Sequence, residues 1–330
     1  MQFSKEMSEL LFDPPRSGAG RIYDDADFKI ARLIKDWRTM DKIDIGILGT
    51  PYDGTDFSLQ GQKYGSDAIR KALWSHNTYE AGLNIDIQPL QLADFGNISV
   101  HQNETVRTHN DIEKVVTEVI SKGVIPLIFG GDHGCSYPNI KALMNNASGK
   151  VGVINFDAHL DVRKTYNGFI TSGTPFRRLA KEVDRNPLDL KNFVDIGING
   201  WHAAKEYRDF IIDNGGRIIS AREVHKRGIE EVIEEALAIA GKDTEAIWLS
   251  FDIDGIDSAS VVGCCSPSPG ALTAAQALEA VWMISQDKKC MGMDILEVCP
   301  PADVRDATAE MAAYLASNFL GGVAKRLYNL

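Results

Sequence analysis

Lys150-Val151-Gly152-Val153-Ile154-Asn155-Phe156-Asp157-Ala158-His159-Leu160-Asp161 joins an apolar run to a dense set of ionisable side chains. The run reads as a strand buried in a sheet. Continued as extended backbone, it would turn Asp157, His159 and Asp161 to one side. A second stretch repeats the design. Ala246-Ile247-Trp248-Leu249 leads into Ser250-Phe251-Asp252-Ile253-Asp254-Gly255, with Asp252 and Asp254 two apart. In a third, Val124-Ile125-Pro126-Leu127-Ile128-Phe129 ends in Gly130-Gly131-Asp132-His133-Gly134. Its paired glycines permit close backbone approach at a strand end, with His133 just beyond.

Each piece alone has an ordinary explanation. An Asp-x-Asp is usually a turn, and a lone histidine is usually a satisfied core residue. Together they are harder to dismiss. Like-charged carboxylates repel at this range, and burying them is costly unless a cation compensates. The pattern therefore calls for metal, and for more than one ion. The donor set is His133, Asp157, His159, Asp161, Asp252 and Asp254. It contains no cysteine, so it is not a thiolate zinc site. Two imidazoles with four carboxylates suit two divalent ions per chain, Mn2+ first, with Ni2+, Co2+, Fe2+ and Zn2+ as alternatives. Such a pair generates hydroxide at neutral pH and polarises a substrate.

Apolar strands alternate with helical patterns along the chain, the signature of an α/β fold with helices on both faces of a parallel sheet. Strands are expected at 43–48, 89–92, 124–129, 151–156, 193–198, 217–220, 246–251 and 291–295. Helices are expected at 66–74, 110–121, 137–144, 175–181, 204–214, 229–240, 274–285 and 307–324. Ser66 and Thr273 read as N-caps. Residues 1–40 read as an N-terminal extension. Within it, Pro14-Pro15-Arg16-Ser17-Gly18-Ala19-Gly20 forms a loop that would pack on a neighbouring subunit. Residues 41–330 form one domain, large enough for a substantial core. All six proposed donors fall at the carboxyl ends of strands, where open α/β sheets gather ligands.

The net charge of −11 argues against a nucleic-acid surface. No apolar stretch is long enough to span a membrane, and Met1-Gln2-Phe3-Ser4-Lys5-Glu6 lacks the apolar core of a signal peptide. Five cysteines, an odd number, fit a reduced cytoplasmic setting. The adjacent Cys264 and Cys265 lie in a Gly/Ser/Pro-rich loop and read as free thiols.

These motifs, in this order, resemble the ureohydrolases: arginases, agmatinases, formimidoylglutamases and their relatives. The resemblance rests on Gly130-Gly131-Asp132-His133, Phe156-Asp157-Ala158-His159-Leu160-Asp161 and Ser250-Phe251-Asp252-Ile253-Asp254-Gly255-Ile256-Asp257. It extends to Met293-Asp294-Ile295-Leu296-Glu297-Val298 and to Gly61–Arg70 (GQKYGSDAIR), where Ser66 replaces a common proline. It runs from about residue 43 to near the C-terminus. It implies a single three-layer αβα domain around a mostly parallel eight-stranded sheet. It implies that Asp157 and Asp252 bridge the ions, that His133 and Asp161 complete one site, and that His159 and Asp254 complete the other. A metal-bridging hydroxide would attack a planar amidine or guanidine carbon. Glu297 would anchor the amidinium edge, and Asp161 would also relay a proton to the leaving nitrogen. The family analogy further implies a homo-oligomer, trimer or hexamer.

Two departures narrow the substrate. Arginases and agmatinases usually carry a histidine where Ser172 stands in Thr171-Ser172-Gly173-Thr174-Pro175-Phe176. Arginases carry an asparagine where Asp161 is followed by Val162-Arg163. Both features resemble formimidoylglutamases. The arginines fit an anionic substrate, since guanidinium forks bind carboxylates bidentately. Arg163 leads, with Arg177 behind it, and Arg178 reads as a solvated helix residue. His202 and His225 read as surface or loop residues. The expected substrate is formimidoylglutamate, cleaved to glutamate and formamide. The runners-up are agmatine and guanidino acids such as guanidinobutyrate or guanidinopropionate, which would release urea. Two further classes compete: another two-metal hydrolase such as a phosphoesterase, and a non-catalytic family member. The first lacks lysines or a glycine-rich nest beside the Asp motifs. The second would show a broken donor set, and this one is complete.

Overall fold

A two-residue strand β1 (Leu11–Phe12) lies antiparallel on the edge of eight parallel strands. These are β2 (Ile45–Gly49), β3 (Leu92–Ile98), β4 (Ile125–Phe129), β5 (Lys150–Phe156), β6 (Phe193–Ile198), β7 (Arg217–Ser220), β8 (Thr244–Asp252) and β9 (Cys290–Leu296). Their order across the sheet is β1-β3-β2-β4-β9-β8-β5-β6-β7. The computed structural model describes residues 3–12 and 26–330. The 14–20 loop expected to meet a neighbouring subunit lies outside the described residues.

The helices are α1 (Lys5–Glu9), α2 (Ile30–Leu33), α3 (Gly65–Leu73), α4 (Thr105–Ser121), α5 (Ser136–Asn146), α6 (Pro175–Lys181), α7 (Lys205–Asp213), α8 (Ala221–Arg227), α9 (Ile229–Ala240), α10 (Ala274–Ser285) and α11 (Ala307–Tyr328). They sort into two layers. Helices α3, α8, α9, α10 and α11 bury Ile69, Val224, Ile233, Val281 and Phe319 against one face of the sheet. Helices α1, α4, α5, α6 and α7 bury Met7, Val116, Ile140, Phe176 and Ile211 against the other. The fold is therefore three-layered, with two cores separated by the sheet. No helix among the described residues is long and apolar enough to cross a membrane.

Register sets the height at which each strand ends. Phe156 pairs with Phe251, and Asp252 pairs with Leu296. The Phe156 and Phe251 rings stack with centroids 5.0 Å apart. Asp157, Asp252 and Glu297 consequently leave three neighbouring strands at nearly the same level.

Two expectations need correction, and not every element is foreseen. The strand expected at 89–92 begins only at Leu92 and runs to Ile98. Asp94, Gly96 and Asn97 hide it from an apolar pattern. They are tolerated because the fully buried Arg70 of α3 serves all three. Its Nε donates to Asp94 Oδ2 at 2.8 Å, its Nη2 to Gly96 O at 2.8 Å, and its Nη1 to Asn97 Oδ1. Ser66 is not an N-cap. Helix α3 starts at Gly65 out of a short helical turn, and the Ser66 hydroxyl donates to Phe129 O at 2.7 Å. Helix α8 was not expected. It is short and mostly charged, and Ser220 caps it by accepting from Glu223 N. Thr273, by contrast, caps α10 in a full capping box with Gln276.

Arg70→Met should leave Asp94 buried without its cation. Removing one partner of a buried ion pair costs about 3–5 kcal/mol. Urea unfolding of the variant should show a loss of that size, and a loss below about 1 kcal/mol would mean the pair does little for the fold.

Candidate metal centre

Four adjacent strands, β4, β9, β8 and β5, deliver the acidic and imidazole side chains. His133 opens a short helical turn beyond β4. Gly130 and Gly131 precede it with φ of 76° and 84°, values that favour glycine. A Cβ on Gly130 would lie 2.5 Å from Ser66 N, and one on Gly131 would lie 2.6 Å from Thr50 O. Asp157 follows the last residue of β5, Asp252 ends β8, and Asp254 sits in the turn Ile253–Gly255.

The side chains meet, though not by strand alternation. Extended structure stops at Phe156, and Asp161 takes a left-handed φ of 42°. Asp157 Oδ1 accepts from His159 N at 2.6 Å, and Asp252 Oδ1 accepts from Asp254 N at 2.9 Å. Each aspartate thus turns the chain after it, as short acidic side chains do.

Two overlapping clusters result. His133, Asp157, Asp161 and Asp252 each offer a ligand atom within 4.8 Å of the others, and so do Asp157, His159 and Asp254. His133 Nδ1 lies 2.8 Å from Asp161 Oδ2, 3.1 Å from Asp157 Oδ2 and 3.4 Å from Asp252 Oδ2. His159 Nδ1 lies 3.2 Å from Asp254 Oδ2 and 3.3 Å from Asp157 Oδ1. Asp157 is shared between the clusters. Behind them, His133 Nε2 faces Ser250 Oγ at 3.3 Å. Ser250 donates to Asp294, which also accepts from Asn139 and Ser136. This backing fixes the ring and leaves Nδ1 toward the carboxylates.

The electrostatics state what is wanted there. Burial, then the charges of Asp254 and Asp157, push Asp252 well above the usual carboxylate range. Burial, then Asp161 and Asp254, raise Asp157 as well. Burial opposes a charged His159, but Asp254 and Asp157 overcome it and push the imidazole up to about 12. The carboxylates demand positive charge, and protons on the imidazoles are the only supply among the cluster's own groups. Asp157 Oδ2 is buried, and its one near neighbour, His133 Nδ1 at 3.1 Å, is not aligned for a hydrogen bond. An acid-rich donor set with a spare buried oxygen fits divalent cations.

The cluster opens into a cleft of about 180 Å³ lined by His159, Asp161, Arg163, Ser172, Asp252, Asp254 and Glu297. Glu297 follows β9 with a left-handed φ of 65° and is almost fully buried. Arg163 is exposed, and no carboxylate pairs with it among the described residues. Gly173 makes room for it: a Cβ there would lie 2.7 Å from Arg163 Cδ. Ser172 is half-buried, and its backbone N–H donates to Thr55 O at 2.9 Å.

Arg177 is placed elsewhere. Its guanidinium lies 3.8 Å over the Phe210 ring and donates to Val162 O and Glu206. Nor is Arg178 solvated: it is buried, lies 3.6 Å over Tyr137 and pairs with Glu182. His202 is exposed, but its ring centroid is 5.4 Å from that of His159, on the cluster's rim. His225 is exposed near Gly270 O. Cys265, read from the sequence as a free thiol, also lines the cleft, whereas Asp56, Gln62 and Ser250 carry no individual signal in the sequence. Gln62 and Ser250 lie inside quoted motifs, but only tertiary packing shows what they touch. All five cysteines are free thiols in the structure.

The model of the arginase family matches residues 43–321. The chain belongs to the arginase family. It is 33% identical to a formimidoylglutamase of Halalkalibacterium halodurans, over 84% of this chain and 86% of the relative. The crystal structure of formimidoylglutamase from Bacillus subtilis superposes with a TM-score of 0.88 at 31% identity, covering 94% of this chain and 96% of that one. Trypanosoma cruzi formiminoglutamase, solved with Mn2+, superposes with a TM-score of 0.83 at 30% identity, covering 91% and 99%. Guanidino acid hydrolases and agmatinases of the family also match. The arginase-family segment begins just before β2 and ends within α11, so α1, β1 and α2 lie outside it.

Asp252→Asn keeps the shape of the cluster and removes one of its like charges. In chelator, the variant should melt above the unsubstituted protein by about 2 °C or more. With a divalent cation added, the order should reverse. A variant that melts lower in chelator would contradict the crowding described above.

Proposed function

We propose that this arginase-family chain hydrolyses a linear amidine, N-formimidoyl-L-glutamate, to L-glutamate and formamide. One observation carries the proposal: a single small cleft joins the acid–imidazole cluster to a buried carboxylate, Glu297, and to a guanidinium, Arg163, that has no carboxylate partner among the described residues. Such a cleft suits a substrate with an amidinium at one end and carboxylates at the other. The names of several relatives support it.

His133, Asp157, His159, Asp161, Asp252 and Asp254 would hold two divalent ions, and Asp157 belongs to both clusters. Mn2+ is the first choice, on the analogy of the Trypanosoma cruzi structure. Two such ions, when bound, supply Lewis acidity and a water of lowered pKa. The chain's own residues do the rest. Glu297 accepts paired N–H bonds from the amidinium and holds its carbon over the cluster. Arg163 takes a substrate carboxylate in its fork. Asp161 carries a proton toward the leaving nitrogen, because Ser172 has no comparable acidity near pH 7. The same reading sets the enzyme in the cytoplasm as a homo-oligomer, trimer or hexamer by family analogy.

A guanidino-acid hydrolase releasing urea is the second reading. It is favoured by Asp56, whose carboxylate lies within 4.8 Å of Glu297 and could meet a further guanidinium nitrogen. Agmatine is disfavoured, because its cationic tail would approach Arg163.

A panel of amidino compounds, read out for ammonia, urea and formamide, separates these substrates. Formimidoylglutamate should be cleaved with release of formamide. Arg163→Ala should raise its KM about tenfold to a hundredfold, since a charged hydrogen-bonded contact is worth roughly 1.5–3 kcal/mol. Efficient turnover of agmatine with none of formimidoylglutamate would rule out the substrate.

A further inference from the structure

Gln62 belongs neither to the donor cluster nor to the substrate contacts above, yet its side chain is fully buried beside them. It opens the short helical turn Gln62–Tyr64 that leads into α3. Its Nε2 faces Asp56 Oδ2 at 2.5 Å, Leu59 O at 2.9 Å and Glu297 Oε2 at 2.9 Å. The amide therefore turns its donor edge to two carboxylates at once. Asp56 is fixed in turn, because its Oδ1 accepts from Ser58 N at 2.7 Å and Ser58 Oγ at 3.0 Å. On the other side of Glu297, Oε1 accepts from His133 N at 2.6 Å.

We propose that Gln62 is a positioning residue that sets the plane of the Glu297 carboxylate for an amidinium group. The inference rests on Glu297 being the amidinium anchor. Each carboxylate oxygen has two lone-pair sites. His133 N–H takes one on Oε1, and Gln62 takes one on Oε2. One acceptor site then remains on each oxygen, and paired amidinium N–H groups need one on each. The terminal torsion of a glutamate is broad and sets no plane of its own. With His133 as the only donor, the carboxylate can swing about that bond. Gln62 also stands between Asp56 and Glu297, two buried acids that would otherwise repel each other apart. The left-handed backbone at Glu297 makes such outside support more necessary.

Gln62→Met keeps the volume and removes the donor. In the metal-loaded enzyme, its metal content should stay unchanged. KM should rise and kcat/KM should fall about tenfold to a hundredfold. The same substitution made in Glu297→Ala should cost less than about twofold, because the group it positions is gone. Equal losses in both backgrounds would overturn the proposal, since Gln62 would then act through the fold at large. Binding of acetamidinium chloride, followed by calorimetry on the metal-loaded protein, gives the same cycle without turnover. A protein that binds acetamidinium in a Glu297- and Gln62-dependent way, yet cleaves no amidine, would support this inference and refute the proposed reaction. Absence of acetamidinium binding to the unsubstituted protein would refute the positioning role. If Gln62→Met does not fold, Asp56→Asn, which loosens Gln62 from its other side, should weaken acetamidinium binding only where Glu297 is present. Unchanged affinity would overturn the proposal.

Discussion

Repulsion among buried like charges is the constraint around which this molecule is arranged. Asp157, Asp161, Asp252 and Asp254 crowd into two overlapping clusters with His133 and His159. Such an arrangement is unstable without compensating cations, so it needs a scaffold that does not yield. The sheet supplies one. Its order sets β4, β9, β8 and β5 side by side, and register ends them at one level. The glycines at 130 and 131 let the loop after β4 pass within contact of its neighbours. Ser250 and Asp294 then brace His133 from beneath. The fold stores the cost of a crowded site that a bound ligand is built to relieve.

Much of this was legible in the sequence, for a physical reason. Parallel strands inside a sheet are buried on both faces, so they stand out as apolar runs, and β6 matches its expected bounds of 193–198; the edge strand β7 matches 217–220 as well. Helices α6, α9 and α10 do so as well, since the proline that opens α6, the apolar spacing of α9 and the Thr273 cap of α10 are local signals. Features that depend on distant partners were less legible. Strand β3 is polar because Arg70, more than twenty residues away, neutralises it. Helix α8 has little apolar face to announce it. The residues that cluster could be named because their spacing is unusual, but alternation along a strand is the wrong geometry. Loops turned by the aspartates themselves bring the groups together. Gln62 and Asp56 carry no pattern, and their place beside Glu297 appears only in three dimensions.

The arginines show how similar residues separate in the folded chain. Arg177 and Arg178 stack on Phe210 and Tyr137 and hold loops and helices together. Arg163 lies on the cleft, its path cleared by Gly173. Arg163, with no carboxylate partner among the described residues, and the buried Glu297 line one cleft, which is the charge pattern behind the substrate proposed above.

The central claim is that the crowded acids exist to hold two metal ions. Metal analysis of the pure protein, reconstituted with Mn2+ and freed of excess by gel filtration, tests it most directly. The account predicts two ions per chain, with amidine hydrolysis rising in step as both are restored. One ion or fewer per chain, with full activity, would contradict it.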